Sequence, residues 1–146
     1  LWIAGGKRRA YLSKPDATPL FARDGSVIVM QEGERISNEN DMANVEVHIF
    51  LKSEKKASAR YTIDDGVSFA YRRGGETHID IDVQRVGSSL AVKLAKSGAS
   101  LPAVLTFIVH GNAALTVNGK KMKLAAGRVS LAGKPLAVKK SVKVDI

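Results

Sequence analysis

Few groups of residues in this chain have the types and spacing that chemistry needs. Adjacent Asp64 and Asp65 offer two carboxylates, the pair that glycoside hydrolysis places across a scissile bond. Neighbours within one turn cannot straddle a sugar at ~5 Å or more on opposed faces. Their expected task is instead to bond the backbone of the Asp-Asp-Gly turn that ends at Gly66. Tyr61, Phe69 and Tyr71 lie in the same stretch, and with Asp64 and Asp65 they form a candidate carbohydrate contact. The rings would stack on apolar sugar faces and the carboxylates would take the hydroxyls. The competing role for these rings is packing in a core or on a sheet face.

His78, Asp80 and Asp82 share one side of a strand, a donor set of the types that bind a divalent cation. Successive side chains on such a face diverge, and no fourth ligand accompanies them, so a solvated strand face accounts for the pattern. His48 and His110 read as isolated residues, His110 with Gly111 and Asn112 at a strand end. Ser26, Ser68 and Ser88 lack a strand-to-helix elbow, and neither Gly5-Gly6 nor Gly74-Gly75 opens a helix that could cradle phosphate. No catalytic residue, metal set or cofactor is assigned.

The elements that would carry these residues are strands. From Arg60 to Val83 the sequence reads as strand, turn, strand, turn, strand, with breaks at Asp64-Asp65-Gly66 and at Gly74-Gly75. Its last part alternates strictly: Ile79, Ile81 and Val83 on one face, His78, Asp80, Asp82 and Gln84 on the other. Val45, Val47, Ile49 and Leu51 alternate with Glu46, His48 and Phe50, and Leu90, Val92 and Leu94 mark another inward face. Val27 to Met30 follows an Asp-Gly turn, and Ala103 to Val109 is apolar enough for burial on both sides.

Leu115 to Val117 and Met122 to Leu124 flank Asn118-Gly119, the clearest two-residue hairpin signal. Leu1 to Ala4 with Lys7 to Ser13 reads as a further hairpin, and Lys52 to Ser58 as a charged turn. Short strands are also expected at Arg128 to Leu131, Pro135 to Val138 and Ser141 to Ile146. No segment has a helical period. Strands separated by turns every roughly eight to twelve residues predict an all-β fold, an antiparallel β-sandwich with a short additional N-terminal β segment.

Two motifs carry a family resemblance. Asp64-Asp65-Gly66, an aromatic spacer, Ala70-Tyr71 and the basic turn at Arg72 to Gly75 resemble a motif in the C-terminal β-domains of glycoside hydrolase family 31, the α-glucosidase and α-xylosidase family. Thr18 to Met30 is similar to a second, in which Pro19, Leu20, Phe21, Arg23, Gly25 and Ser26 lead into an apolar strand. The motifs occur in the family's order. Val29 stands where the family often has proline, and Trp2 with Gly5-Gly6 is what remains of a tryptophan-rich stretch.

The resemblance implies a remnant of a proximal β-domain over residues 1–41 and a distal β-sandwich over 42–146. It implies that the catalytic aspartates lie in a (β/α)8 barrel N-terminal to these domains, and that the parent enzyme hydrolyses α-glycosidic bonds with retention and without a cofactor. The first strands would then need partners in the sandwich, in a neighbouring copy or in an upstream fragment.

At 146 residues the chain suffices for one ordinary domain or slightly more. It begins at Leu1 without methionine, as a piece of a longer polypeptide would. No window approaches the ~18 apolar residues of a membrane helix. Cysteine is absent, which excludes a disulfide scaffold and a cysteine nucleophile but indicates no compartment. The net charge of +9 raises nucleic-acid binding. From Gly74 onward, however, eleven Lys or Arg against four acids are spread over several strands, and Phe107 is the ring available for stacking. A solvated lysine surface explains the charge without a nucleic-acid partner.

The sequence therefore points to a non-catalytic C-terminal β-module of an α-glycosidase that supports the barrel, with contacts between copies as a secondary role. The alternative is a free-standing module whose ligand is an oligosaccharide.

Overall fold

A computed structural model describes residues 3–8, 10, 12, 15–16, 18–31, 44–98, 104–111, 114–117, 120–122 and 128–132. The strands are β1 (Ser26–Gln31), β2 (Asn44–Phe50), β3 (Lys56–Ile63), β4 (Thr77–Val86), β5 (Ser89–Ser97), β6 (Val104–Val109), β7 (Ala114–Val117), β8 (Lys120–Met122) and β9 (Arg128–Ala132). They form a four-stranded sheet in the order β1-β2-β6-β9 and a five-stranded sheet in the order β3-β4-β5-β7-β8.

The period of two decides which side chains meet. From the first sheet, Val27, Val45, Val47, Ile49, Leu105, Phe107 and Val109 point inward. From the second, Ala57, Ile63, Ile79, Ile81, Val83, Leu90, Val92 and Leu94 face them, and all belong to one buried cluster. Two sheets sharing one apolar core make a β-sandwich. The alternations read in β2, β4 and β5 thus hold residue by residue. β6 is interior to its sheet, and even the outward Thr106 is buried.

Most pairings are antiparallel, but β2 runs parallel to β6 and β5 parallel to β7. Parallel neighbours cannot be joined by a tight turn. The chain instead leaves the first sheet after β2, builds the β3-β4-β5 meander, and returns as β6.

Several expectations need adjustment. β3 begins at Lys56, inside the supposed charged turn, because Ala57 and Ala59 continue the inward face of Tyr61 and Ile63 without looking strongly apolar. Between β3 and β4 there is no middle strand but a 3₁₀ turn, Ala70–Arg73. β1 takes its partner from the sandwich, one of the expected alternatives: it pairs antiparallel with β2 from Ser26↔Phe50 to Gln31↔Val45. The expected division near residue 41 therefore falls between two paired strands.

β8 starts at Lys120, two residues earlier than expected, and Val117↔Lys120 pairing leaves only Asn118 and Gly119 between the strands. That turn itself, like the segments Pro135 to Val138 and Ser141 to Ile146, lies outside the described residues. The described part of the proposed N-terminal hairpin contains no strand.

After β5, Gly98 has φ +90°, and a Cβ there would lie 2.5 Å from the Glu76 carbonyl oxygen and 2.5 Å from Thr77 Oγ1. Both the left-handed conformation and the close approach to backbone require glycine. Gly98→Ala is expected to cost about 2 kcal/mol or more. Gly87→Ala, also at positive φ (+63°) but with nothing within 4 Å of the added carbon, should cost less. Urea denaturation of the two variants checks the difference.

Candidate functional site

The Asp64–Tyr71 segment is built by its own side chains. Asp64 Oδ1 accepts from the Gly66 N–H at 3.0 Å. Asp65 Oδ1 accepts from Val67 N–H at 3.3 Å and Ser68 N–H at 2.9 Å, while the Ser68 hydroxyl donates to Asp65 Oδ2. Ser68 Oγ in turn accepts from the Ala70 N–H at 3.1 Å, which starts the 3₁₀ turn. The turn closes with Gly75 N–H bonded to Ala70 O at 2.9 Å. The Ser68 hydroxyl, followed by the N–H groups of Ser68 and Val67, holds the Asp65 carboxyl below the usual carboxylate range. Both carboxylates thus serve backbone donors that a bulging loop would otherwise leave to water.

The five candidate carbohydrate-contact residues separate into two places. Phe69 is 68% exposed and Tyr71 40% exposed, their ring centroids 6.2 Å apart and tilted by 59°. The Arg72 guanidinium lies 4.7 Å from the Phe69 centroid and 5.9 Å from that of Tyr71. Asp64 and Asp65 stand at the base of this projection. Tyr61, in contrast, is on the inward face of β3 and packs against the core, where burial pushes its phenol up.

The charged face of β4 resolves into cross-strand pairs with β3. Arg60 faces Asp80 in register and binds it through Nε at 2.6 Å and Nη2 at 3.1 Å. Thr62 faces His78, whose Nδ1 is 3.0 Å from Thr62 Oγ1 and whose Nε2 is 3.0 Å from Glu76 Oε1. Arg60, mainly by its hydrogen bond, holds the Asp80 carboxyl below its ordinary range. Exposed pairs of this kind orient strands more than they stabilise them. Among the described residues no group of three or more His, Cys, Asp or Glu could hold a metal ion.

The Arg-x-Gly-Ser motif is a clamp between the strand ends. Asp24 accepts backbone N–H bonds from Lys52 at 2.7 Å and Ser53 at 2.8 Å, Gly25 N–H donates to Phe50 O at 2.7 Å, and Ser26 Oγ donates to Arg23 O at 2.5 Å. Burial raises the Asp24 carboxyl, but the backbone donors outweigh it and the net shift is downward.

Sequence reading missed one cluster. His48 and His110 are not isolated: His48 Nδ1 is 2.9 Å from His110 Nε2, and His48 Nε2 is 3.1 Å from Glu46 Oε2. Phe50 stacks on His110 with centroids 4.1 Å apart and planes 6° from parallel. The alternation of β2 already put Glu46, His48 and Phe50 on one face. What it could not supply was the parallel pairing with β6, which brings in a histidine 62 residues away. His110, Phe50 and Asp24 join Ile3, Leu20, Phe21 and Ala22 around a cleft of about 410 Å³.

No family profile matches the chain. Alpha-glucosidase 2 of Bacillus thermoamyloliquefaciens is 27% identical over 109 residues, which are 74% of this chain and 14% of that protein. The Flavobacterium johnsoniae GH31 dextranase, solved with isomaltotriose, superposes with a TM-score of 0.58 at 18% identity, over 84% of this chain and 18% of the dextranase. The catalytic subunit of ER glucosidase II aligns at a TM-score of 0.46, with 16% identity over 84% of this chain and 15% of that one. The chain therefore spans under a fifth of the length of each. Motifs, sequence relative and fold agree on one family: the chain resembles the C-terminal β-domain region of glycoside hydrolase family 31.

Proposed function

We propose that this chain is a non-catalytic C-terminal β-module of a retaining α-glycosidase of the α-glucosidase or α-xylosidase kind, and that its role is structural support of the catalytic barrel. The observation that carries this reading is the sequence match to about a seventh of an α-glucosidase, with the two adjacent aspartates committed to building a turn. Leu20 (86% exposed), Phe21 (67%), Ile28 and Met30 give the N-terminal side an apolar surface suited to packing against another domain. Purified chain should not hydrolyse an aryl α-glucoside or α-xyloside. Turnover that disappears in Asp64→Asn or Asp65→Asn would overturn the proposal.

A second reading, an oligosaccharide-binding module, is favoured by the exposed Phe69 and Tyr71 rings with Arg72 beside them. It requires that malto- or xylo-oligosaccharides bind the intact chain and that Tyr71→Ala weaken them about tenfold, the loss of one aromatic contact worth ~1–1.5 kcal/mol. Unchanged binding in that variant would dispose of it.

A further inference from the structure

Glu46, His48 and His110 form a linear chain of hydrogen-bonding groups on the outer face of the four-stranded sheet, and its geometry limits how many protons it can hold. Glu46 Oε2 only accepts when ionised, so the hydrogen in the 3.1 Å contact belongs to His48 Nε2. His48 must therefore use Nδ1 toward His110 Nε2, 2.9 Å away. One hydrogen fits between two nitrogens at that distance. The neutral pair satisfies this with Nε2–H of His110 donating to a bare Nδ1 of His48. One added proton is also accommodated, because a single imidazolium can donate to the neutral ring beside it. A second added proton puts hydrogens on both facing nitrogens and positive charges on two rings whose centroids are 5.2 Å apart.

We propose that the Glu46–His48–His110 chain is a proton-operated latch on the cleft beneath the Arg-x-Gly-Ser turn: it stays closed with up to one added proton, and the second drives His110 away from His48. His110 is the ring that moves, since His48 is retained by Glu46 while, among the described residues, the side chain of His110 is held by His48 and by stacking on Phe50. The His110 backbone stays fixed through its N–H bond to Ile49 O at 3.0 Å. Swinging the ring off Phe50 changes the wall of the cleft that also contains Leu20 and Phe21.

Glu46 and His48 face the pair from β2, and Asp24 lines the cleft from the turn before β1. Across from Glu46 and His48 in register, β1 contributes uncharged Met30 and Ile28, and β6 contributes Thr106 beside Glu46 and Ile108 beside His48. On the far side of β6, Arg128 of β9 stands opposite Ile108 in register. Burial first, then the charge of His48, pushes His110 below the ordinary histidine value. A folded histidine with a lowered pKa takes up its proton later than the unfolded one. Stability should thus be unaffected well above about pH 6.5, fall as pH drops below it, and stop falling below the folded pKa.

Imidazole ¹⁵N and Phe50 ring ¹H titrations of residues 1–146 test the latch. Two protonation steps separated by more than about one pH unit are expected, with the Phe50 ring shift lost at the second. His110→Gln keeps a donor toward His48 but cannot titrate, so it should leave one step from this pair and remove the large Phe50 change at the second, with His48 still stacked on Phe50 at a centroid separation of 6.4 Å. His48→Gln should move the His110 midpoint up toward the ordinary value. Independent titration of the two rings near that value, or a Phe50 signal unchanged through both steps, would overturn the proposal. The wild-type titration decides the matter even if neither variant folds.

Discussion

A chain cut to residues 42–146 is expected to lose about 5 kcal/mol or more of stability, enough to exhaust the margin of many domains. The cut removes β1, its six-residue pairing with β2 and the burial of Val27, and turns β2 into an edge. It also removes Asp24, leaving the N–H groups of Lys52 and Ser53 without their acceptor, and Gly25, which closes on Phe50. At about 1 kcal/mol net per hydrogen bond and ~1.5–3 kcal/mol for a buried valine side chain, these losses reach the stated size. Comparing urea midpoints of 1–146, 23–146 and 42–146 separates the contributions. The intermediate chain keeps the clamp and β1, so it should recover most of the difference. Equal midpoints for all three would instead establish an independent unit beginning near residue 42.

Phe107→Ala should be the most damaging single substitution in the described core, at about 3–5 kcal/mol. The ring is fully buried on β6, beside Val47 of β2 and opposite Val129 of β9 in register. Removing it takes apolar surface from the centre of the sandwich and leaves a void that neighbours on three strands cannot close together. Phe69→Ala removes the same atoms from a ring that is 68% exposed, and should change stability by no more than about 0.5 kcal/mol. Parallel denaturant curves with a displaced midpoint for Phe107→Ala and a coincident one for Phe69→Ala would bear this out. Similar losses in both would mean that the projection at Phe69 is part of the core.

Much of the fold was legible because one face of β2, β4 and β5 is dry. His78 to Gln84 alternates, and the apolar half of that alternation is the half found buried. Alternation fails where side chains are small: Ala57 and Ala59 are core-facing but do not announce it, so the start of β3 was hidden in a charged run. It also fails where side chains build the backbone. Val67 to Tyr71 has strand-like composition, yet Asp65 and Ser68 capture three backbone N–H groups and bend it into a 3₁₀ turn. The aspartates could be read as turn-formers from their adjacency alone. The histidine pair could not be read at all, because a parallel contact across 62 residues depends on topology, which periodicity does not encode.

That topology also sets an order of assembly. The meander β3-β4-β5 consists of sequence neighbours and is complete by Ser97. The other sheet is assembled from β1 and β2, held in waiting, then β6 after the meander, and finally β9 near residue 130. Contacts closing loops of this length raise the contact order and slow folding relative to the meander's local hairpins. During synthesis Val47 of β2 must wait for some sixty residues to emerge before Phe107 packs beside it. The growing chain therefore passes through a stage in which the meander is complete but the sheet facing it consists of β1 and β2 alone.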